Sequence, residues 1–312
     1  MKILVTGGAG FIGSNIVDSY IEAGHDVIVV DDLSSGCIEN INSKARFYQV
    51  DIQSTEIVKI IEEERPNIIN HHAAQKSVPK SVDDPILDAN INVIGLLNLL
   101  NAAVSAQVSK IIFASSGGAL SGNTDVIPTS ENCEPSLISP YAITKYISEK
   151  YLHFYQITYG LNYTVLRYSN VYGPRQNADG ECGVVPIFMN NILNNNQSYL
   201  FTYEDMPLGT TRDYVYVADV CKANISALEN GDNNIFNIGT GKEISISEIY
   251  NIILDMSSRS ELPLIRKAER KGDVRRSALC SKKANKDLKW EASTSLHQGI
   301  RETFSFLLSK HR

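Results

Sequence analysis

The sequence predicts an α/β fold: a doubly wound parallel sheet with helices on both faces, followed by a smaller C-terminal α/β lobe. Through the first half of the chain, short apolar and β-branched segments alternate with helical patterns, and this alternation is typical of a parallel sheet. After about Gly173 the pattern changes to shorter strands and helices without a second run of regular repeats. We therefore expect a first domain over 1–173 and a second over 174–312, closely packed and partly interleaved.

The elements follow in order from these patterns. Six segments of the first domain read as strands: Ile3–Val5, Val27–Val30, Phe47–Val50, Ile68–Asn70, Ile111–Ala114 and Thr164–Leu166. Four segments between them are long and periodic enough to be helices: Ser14–Ala23, Thr55–Glu64, Pro85–Ala106 and Pro140–Tyr159. The second domain is predicted to contain strands at Val215–Val217 and Phe236–Ile238 and a helix over Ser247–Met256. In such folds, ligands bind in the crevice at the carboxyl ends of the strands.

Composition excludes several classes of protein. The 312 residues are 43% apolar and 21% charged, and no apolar run reaches the roughly 20 residues that cross a bilayer. A net charge of −6 gives no reason to expect nucleic-acid binding, which needs a surplus of Lys and Arg. The chain opens directly on a strand and has five scattered cysteines without metal-ligand spacing. These features predict a cytoplasmic protein without a membrane segment or a metal site.

A glycine-rich loop follows the first strand. Gly7, Gly10 and Gly13 are spaced three apart in TGGAGFIG, directly before an amphipathic helix. Glycines at these places permit a tight turn and a close backbone approach to a pyrophosphate, which then lies at the helix N-terminus. The pattern indicates a Rossmann-type dinucleotide site.

The second strand ends at Asp31 and Asp32, about twenty residues after the loop, where a carboxylate can accept hydrogen bonds from the ribose hydroxyls of a dinucleotide. A carboxylate there repels a 2′-phosphate, and no Arg stands beside Asp31. We therefore predict NAD rather than NADP as the cofactor. The alternative interpretation is that both aspartates only cap a turn.

The candidate catalytic residues are Ser116, Tyr141 and Lys145. Ser116 ends a strand, and Tyr141 follows it by 25 residues. Tyr141 and Lys145 are four apart and share one helix face, with Ser139 as the predicted N-cap and Pro140 as the first helical residue. Oxidation of a hydroxyl needs a base, and a phenol of pKa about 10 needs cations to depress its pKa. We expect Lys145 and the nicotinamide ring to supply them, with Ser116 bonded to the reacting oxygen.

The chain resembles the extended short-chain dehydrogenase/reductases and, within them, the UDP-hexose 4-epimerases. The resemblance runs from Met1 to about Thr303 and rests on an ordered set of segments. These are TGGAGFIG, HHAAQKSV, NINVIG, ASSGGA, SPYAITK, LRYSNVYGPRQ, GVVPIF, TRDYVYVADV, FNIGTG and RKGDVRRS. The resemblance implies a tightly held NAD that oxidises carbon 4 of a UDP-sugar, rotation of the ketosugar, and return of hydride without net redox change.

The resemblance also implies binding residues. For NAD they are Gly7, Gly10, Phe11, Ile12, Gly13, Asp31, Asp32, Asp51, Ile52, Lys76, Asn90, Tyr141, Lys145 and Tyr168. For the UDP-sugar they are Ser116, Tyr141, Asn170, Val185, Phe201, Arg212, Arg270, Asp273 and Ser277. Arg212 and Arg270 are suited to clamp a diphosphate, and Asp273 can accept ribose hydroxyls. The family pairs its helices across a two-fold axis, which implies a homodimer through a four-helix bundle built by the helices at 85–106 and 140–159.

Three positions depart from the family pattern. Ser121 stands where a tyrosine is usual, so that one contact to the sugar is missing or supplied by another residue. The loop at 203–209 is an unusual version of a glycine-rich turn. Ser277 stands where substrate size is often controlled, and its small side chain leaves room for an N-acetyl group. UDP-N-acetylhexosamines are therefore expected substrates beside UDP-glucose and UDP-galactose.

Other functions remain open on the same scaffold. Dehydration of the sugar is disfavoured because Gly117 and Gly118 stand where dehydratases carry an Asp-Glu pair. Epimerisation or decarboxylation of UDP-glucuronate is an alternative, with Arg175, Arg275 or Arg276 as the contact to the carboxylate. A noncatalytic NAD-binding protein is another alternative, since fold alone does not fix function.

Overall fold

The computed structural model describes residues 1–177, 183–257, 262–269 and 274–310, and this part of the chain contains thirteen strands and twelve α-helices. The strands are β1 (Lys2–Thr6), β2 (Asp26–Asp31), β3 (Arg46–Gln49), β4 (Ile68–His71), β5 (Lys110–Ser116), β6 (Asn162–Tyr168), β7 (Asn170–Tyr172), β8 (Ser198–Phe201), β9 (Thr211–Arg212), β10 (Tyr214–Tyr216), β11 (Asn234–Ile238), β12 (Ile244–Ser245) and β13 (Leu264–Lys267). The helices are α1 (Phe11–Glu22), α2 (Glu56–Glu64), α3 (Val78–Asp83), α4 (Pro85–Ala89), α5 (Gly95–Ser105), α6 (Gly117–Ser121), α7 (Pro140–Tyr159), α8 (Val184–Leu193), α9 (Val217–Ala227), α10 (Ile246–Met256), α11 (Lys282–Asp287) and α12 (Leu296–Lys310).

Seven parallel strands form the main sheet in the order β11-β6-β5-β4-β1-β2-β3. The order reverses between β1 and β4, so the chain winds first to one side and then to the other. A crevice opens at such a reversal, at the carboxyl ends of the strands. The predicted doubly wound fold is confirmed.

Both faces of the sheet are covered. Along β1, Ile3 and Val5 point into one apolar core, and Leu4 points into the other, because successive side chains of a strand alternate between faces. The first core contains residues of α1 and α9, and the second contains residues of α2, α5 and α7. Strands buried on both faces explain why the predicted segments are uniformly apolar rather than alternating.

The strand predicted at Phe236–Ile238 belongs to the main sheet rather than to the second lobe. As β11 it pairs with β6 in parallel register, with Phe236 opposite Leu166. The remaining strands after Gly173 form only short pairs, β10 with β7, β12 with β9 and β13 with β8. The chain therefore returns to the first core after it has begun the smaller lobe.

The segment predicted as one helix over Pro85–Ala106 consists of α4, a π-helical turn over Asn90–Ile94, and α5. Its length and apolar composition would suit a membrane span. However, Leu96, Leu99 and Leu100 are at most 1% exposed and pack in the core beside α2. This helix is therefore a core helix of the α/β domain.

Candidate active site

The glycine loop between β1 and α1 leaves no room for side chains. Gly7 has φ +68°, and a Cβ there would lie 2.6 Å from the Ala73 backbone nitrogen. A Cβ on Gly13 would lie 2.1 Å from the Gly7 carbonyl oxygen. Gly10 is the N-cap of α1 and offers no side-chain cap, so the first-turn N–H groups face the crevice at the positive end of the helix dipole. This cradle suits a pyrophosphate.

Asp31 is the last residue of β2 and is hydrogen-bonded to this loop. Asp31 is 7% exposed, and its carboxylate accepts hydrogen bonds from the Ala9 N–H and the Leu33 N–H, each at 2.9 Å. Burial raises the pKa of Asp31, and these two N–H groups oppose that rise. Asp32 accepts bonds from the Ser34 backbone and hydroxyl. Both aspartates therefore cap the turn, and each Asp31 oxygen retains capacity for a ribose hydroxyl.

A cavity of about 510 Å³ runs from this loop to the ends of β4 and β5. Thirteen of the fourteen residues predicted to contact NAD line it: Gly7, Gly10, Phe11, Ile12, Gly13, Asp31, Asp32, Asp51, Ile52, Lys76, Tyr141, Lys145 and Tyr168. Asn90 does not line it. That residue is exposed at the start of the π turn, and Leu87 and Ile91, four apart on one helix face, line the cavity instead. The donor set and the cradle fit a dinucleotide.

Two of the three candidate catalytic residues, Tyr141 and Lys145, line this cavity, and Ser116 lines a second cavity that also contains Tyr141. Ser139 caps α7 by accepting the Ala142 N–H, and Pro140 is the first helical residue, as predicted. Tyr141 therefore projects from the first turn, and the Ser116 side chain acts to lower the pKa of its phenol. Lys145 lies one turn further on, with its Nζ donating to the Ala114 carbonyl at 3.0 Å and 5.9 Å from the centre of the Tyr141 ring.

In the chain without a cofactor, burial dominates the protonation of Tyr141 and Lys145. Burial raises the pKa of Tyr141 to about 12, with a smaller lowering from the Ser116 hydrogen bond. Burial lowers the pKa of Lys145 to about 8, against the opposing effects of Asp88 and Glu149. We expected Lys145 and the nicotinamide ring together to lower the pKa of the phenol, and in the chain alone desolvation outweighs any effect of Lys145. A further cation is therefore needed to ionise Tyr141 near neutral pH.

A buried polar layer behind the trio escaped the sequence analysis. The Asp88 carboxylate is completely buried and accepts hydrogen bonds from the Thr144 hydroxyl, the Gln75 amide and the Asn92 amide. Thr144 stands between Tyr141 and Lys145 on α7. Asp88 thus joins the catalytic helix to the loop after β4 that lines the cavity. A signal was present, since Asp88 is the single charged residue of the apolar stretch 85–106.

Glu149 forms the second buried charge of this layer. It is 2% exposed and is paired with Arg167 at 2.6 Å, and it also accepts the Ser115 hydroxyl at 2.7 Å. Ser115 directly precedes Ser116 at the end of β5. The pair therefore holds the strand end from which Ser116 reaches the cavity.

A second cavity of about 630 Å³ adjoins the first, and both are lined by Phe11, Ile12, Tyr141 and Tyr168. It contains four of the residues predicted to contact the UDP-sugar: Ser116, Tyr141, Asn170 and Val185. A hydroxyl bound there can reach the Tyr141 phenol. The trio therefore lies at the junction of a dinucleotide cavity and a second ligand cavity.

The other predicted substrate residues lie elsewhere. Phe201 is 37% exposed at the end of β8, Arg212 belongs to β9, and neither lines the two cavities. Ser277 is 4% exposed, and its Oγ lies 3.7 Å from where a Cβ on Gly118 would be. Arg270 and Asp273 fall outside the described residues.

The departures from the family pattern have local explanations. Ser121 is 8% exposed and donates to the Gly117 carbonyl at 2.8 Å, so its hydroxyl serves α6 rather than a ligand. The loop at 203–209 turns tightly through two backbone hydrogen bonds between Tyr203 and Met206. Arg275 lies over the Tyr203 ring at 4.8 Å and pairs with Asp205. The loop is thereby fixed to the segment that leads to Ser277.

Comparison with known proteins places these features in a family context. Residues 3–239 match the model described as the NAD dependent epimerase/dehydratase family. The crystal structure of UDP-glucose 4-epimerase from Thermotoga maritima with UDP-glucose is 46% identical, has a TM-score of 0.96 and is covered over 100% of both chains. The Thermus thermophilus UDP-glucose 4-epimerase complex with NAD is 38% identical, has a TM-score of 0.91 and is covered over 99% of both chains.

A third similar structure is that of an enzyme named for a different UDP-sugar. The UDP-N-acetylglucosamine 4-epimerase from Methanobrevibacter ruminantium, in complex with UDP-N-acetylmuramic acid, is 32% identical with a TM-score of 0.92. The match covers 99% of this chain and 98% of that one.

Proposed function

This chain belongs to the NAD-dependent epimerase/dehydratase family, and we propose that it is a UDP-glucose 4-epimerase, an isomerase that inverts carbon 4 of a UDP-hexose. The observation that carries the proposal is the position of Ser116, Tyr141 and Lys145 where the two cavities meet. The full-length similarity to UDP-glucose 4-epimerases at 38–46% identity supports the same reaction.

NAD is the cofactor, and the residues that would hold it are the glycine loop, Asp31 and the lining of the first cavity. Bound there, NAD would supply reversible hydride transfer at carbon 4 and, in its oxidised form, the positive charge of the nicotinamide ring. The chain itself supplies the binding surface, the orientation of the sugar and the transfer of the proton.

Tyr141 is the general base and acid of the proposal. Its phenolate takes the proton of the 4-hydroxyl during oxidation and gives it back when the alcohol is re-formed. Ser116 lines the second cavity together with Tyr141 and so can also bond the reacting oxygen. Lys145, in its cationic form, favours the phenolate over the phenol. Since burial raises the pKa of Tyr141 to about 12, the phenolate forms only when cations in the loaded site offset desolvation.

The sugar range of the proposal includes UDP-N-acetylhexosamines. The serine at position 277 is buried against Gly118 of α6, the helix that directly follows Ser116, and it occupies little volume there. Similarity to an enzyme named for UDP-N-acetylglucosamine supports the same extension. UDP-glucose and UDP-galactose remain the proposed principal substrates.

The charges of the chain argue against UDP-glucuronate as the main substrate. Arg175 pairs with Asp18 at 2.6 Å, Arg276 pairs with Glu243 at 2.5 Å, and Arg275 pairs with Asp205. Each of these three arginines, the candidates for holding a sugar carboxylate, already has a carboxylate partner. The complete Ser, Tyr and Lys set likewise argues against a noncatalytic NAD-binding protein.

We further propose that the enzyme is a homodimer that works in the cytoplasm. Ile143, Ile147, Phe154 and Ile157 are 39–67% exposed and recur along α7 at the spacing of a single helix face. Ile94, at the end of the π turn, is 54% exposed. A second copy that covers these side chains would build the four-helix bundle. The free thiols Cys37, Cys133, Cys221 and Cys280 suit a reducing compartment.

Proton NMR of the anomeric signals tests the proposed reaction. Purified protein is incubated in parallel with UDP-glucose, UDP-N-acetylglucosamine and UDP-glucuronate, with and without added NAD. We expect galacto-configured product from UDP-glucose. Tyr141→Phe, which removes the proton carrier, should lower kcat by about 10²–10⁴-fold, whereas Tyr146→Phe on the next turn should not. Conversion of none of the three sugars would refute the proposal.

A further inference from the structure

A buried carboxylate joins three segments of the chain beside the second cavity. Asp213 lies between β9 and β10 and is completely buried. Its Oδ1 accepts hydrogen bonds from the backbone N–H and the hydroxyl of Thr240, at 2.8 and 2.6 Å. Its Oδ2 accepts the backbone N–H groups of Gly241 and Leu279, at 3.0 and 3.1 Å. Its backbone carbonyl accepts the N–H of Asn170, a residue that lines the second cavity.

Neutral donors hold this carboxylate. Burial raises the pKa of Asp213, and the hydrogen bonds from Thr240, Leu279 and Gly241 oppose that rise. The N–H groups of the turn after β11 converge on the carboxylate as they would on a bound anion. A Cβ on Gly239 would lie 2.5 Å from Oδ2, so this turn closes tightly around it. Asp213 therefore fixes the position of Leu279 relative to the turn at 239–241.

The segment around Leu279 is held from two sides. The Ala278 carbonyl accepts the Thr129 N–H, and the Cys280 N–H donates to the Thr129 carbonyl. Because hydrogen-bonding groups alternate along an extended chain, the Leu279 N–H points to the opposite edge, where it meets Asp213. The Thr129 bonds fix the register of the segment, and the Asp213 bond holds its other edge.

The Leu279 side chain connects this segment to the catalytic serine. Leu279 is 1% exposed, and a Cβ on Gly117 would lie within 3.0 Å of both of its methyl carbons. Gly117 directly follows Ser116 and is the first residue of α6. Because protein interiors are close-packed, a displacement of Leu279 would also displace Gly117 and, with it, Ser116.

We propose that Asp213 is a positioning residue for the epimerisation: it holds Leu279 against Gly117 and thereby sets the place of Ser116 at the sugar. The inference rests on the proposed function for the identity of the reaction. The hydrogen bonds and the packing are properties of the chain itself. Since Asp213 acts through Ser116 and not through the cofactor, it governs kcat and leaves NAD binding unchanged.

Steady-state kinetics with UDP-glucose test the effect on the reaction. Asp213→Ala removes every side-chain acceptor, so we expect kcat to fall about 10–100-fold because Ser116 is displaced from the reacting oxygen. The Kd for NAD, measured by calorimetric titration, should stay as in the wild type. Asp213→Asn should recover most of the lost kcat. One orientation of its amide still presents the oxygen to Gly241 and Leu279 and the NH₂ group to the Thr240 hydroxyl.

Asp219→Ala is the matched control, because it makes the same change at another completely buried carboxylate. The hydrogen-bond partners of the Asp219 carboxylate are Lys222, Ser293 and Thr294. These partners do not line either cavity. Melting curves should show a loss of stability in both alanine variants, whereas Asp219→Ala should keep the kcat of the wild type.

Leu279→Ala tests the link between the carboxylate and the serine. It leaves Asp213 and its hydrogen bonds in place and removes the side chain that packs on Gly117. It should therefore lower kcat as Asp213→Ala does, and it decides the question if Asp213→Ala does not fold. A folded Leu279→Ala with the kcat of the wild type would overturn the inference.

Hydrogen exchange tests the packing directly, in the protein as isolated. We expect the amides of residues 117–121 to exchange about tenfold or more faster in Asp213→Ala, and at the wild-type rate in Asp219→Ala. The hydrogen bonds of the Asp213 carboxylate go to Thr240, Gly241 and Leu279, so faster exchange in α6 reports a loosened Leu279 contact. Unchanged exchange there in a folded Asp213→Ala would contradict the proposed linkage.

The outcomes separate this inference from the proposed function. Wild-type protein that converts none of the UDP-sugars would overturn both. An active wild type beside a folded Asp213→Ala with unchanged kcat would overturn the role of Asp213 alone. An Asp219→Ala variant that loses as much kcat as Asp213→Ala would do the same, because the loss would then follow stability and not position.

Discussion

The charge balance around Lys145 sets the pH range in which the proposed mechanism works. Burial lowers the pKa of Lys145 to about 8, and Asp88 and Glu149 act in the opposite direction. The lysine is cationic below its pKa and loses that charge as the pH rises through about 8. Because the cation stabilises the Tyr141 phenolate, kcat should fall on the alkaline side as Lys145 is deprotonated.

Asp88→Asn tests this balance at a residue that is buried behind the trio. Removal of the carboxylate withdraws a charge that favours the lysine cation, so the pKa of Lys145 falls and the alkaline decline of kcat moves to lower pH. Asp88 also raises the pKa of Tyr141. Its removal should therefore lower that pKa, and the rise of kcat on the acid side of the profile, where Tyr141 ionises, should also move to lower pH. Profiles of kcat against pH for wild type and variant measure both shifts.

The amide retains the hydrogen-bonding shape of Asp88, and we expect the variant to fold with a loss of about 1–3 kcal/mol in the free energy of unfolding. Asp125→Asn makes the same change at an exposed aspartate and is the control variant. Its pH profile and its free energy of unfolding should match those of the wild type. Identical pH profiles for wild type and Asp88→Asn would contradict the assigned electrostatic role.

Ser277 is the residue at which sugar size is tested. Ser277→Tyr adds a large ring at a site 4% exposed beside α6, and the added volume has to displace neighbours or enter the space near Ser116. The ratio of activity on UDP-N-acetylglucosamine to activity on UDP-glucose should fall by roughly tenfold or more. Ser277→Ala, which stays small, should keep the ratio. An unchanged ratio in the tyrosine variant would remove Ser277 as the determinant.

Residue chemistry was predictable where the motif fixed both identity and spacing. Ser116, Tyr141 and Lys145 converge as expected because a strand end and a first helical turn meet at the same crevice. Asp88 was not predicted as part of the site, because its role depends on a hydrogen bond to Thr144, 56 residues away. The protonation of Tyr141 was also not predictable, since burial dominates it and burial is a property of the packed chain.

Among the structural elements, the glycine loop makes the strictest demand on sequence. Gly7 has φ +68°, and backbone atoms lie within 3.0 Å of the position that a Cβ would take there. Gly160, the C-cap of α7, has φ +73° and nothing within 4 Å of the corresponding position. The two glycines therefore share a left-handed conformation and differ in crowding.

Gly160→Ala should lower the free energy of unfolding by about 1–2 kcal/mol, the cost of a left-handed residue with a Cβ. Gly7→Ala should lower it by a further ~1–3 kcal/mol because the Cβ meets the backbone of Ala73. Only Gly7→Ala should also weaken NAD binding, since the loop has to shift from its cradle geometry. Urea unfolding and NAD titration measure both effects. Equal losses in the two variants would mean that conformation, not crowding, constrains the loop.

Element type followed well from periodicity, and element boundaries followed less well. Helix α7 begins and ends as predicted because Ser139, Pro140 and Gly160 mark both ends. Helix α1 begins at Phe11, three residues earlier than predicted, because the loop backbone itself acts as the cap. The π turn over Asn90–Ile94 shifts the register of the cavity-facing residues. Asn90 was predicted in the NAD site from the family resemblance alone, and Leu87 and Ile91 line the cavity instead.

At the scale of the whole molecule, the doubly wound sheet was predictable from the alternation of elements, but the membership of β11 was not. A short apolar strand carries no information on which of two sheets it joins. Its place beside β6 is decided by long-range packing. The same limit applies to the helix at 85–106, whose apolar sequence alone does not separate side chains that are buried within the chain, such as Leu96 and Leu100, from side chains that could contact a second subunit.

The exposed apolar face of α7 leads to the last prediction, which concerns assembly. Ile147 and Phe154 are 39% and 49% exposed on one helix face, and a dimer would remove both from water. An Ile147→Asp, Phe154→Asp double variant places two charges where the partner would pack, and burying unpaired charges is costly. We expect the wild type to scatter light as a dimer at micromolar concentration and the double variant as a monomer with unchanged far-UV circular dichroism.

A control variant tests whether the effect is specific to this face. Leu308→Asp, on a 40% exposed leucine of α12 outside this face, should remain dimeric. Because the NAD cradle and the trio are built within one chain, the monomer should still bind NAD. A wild type that is monomeric at this concentration would refute the proposed dimer, and a double variant that stays dimeric would place the interface on another surface.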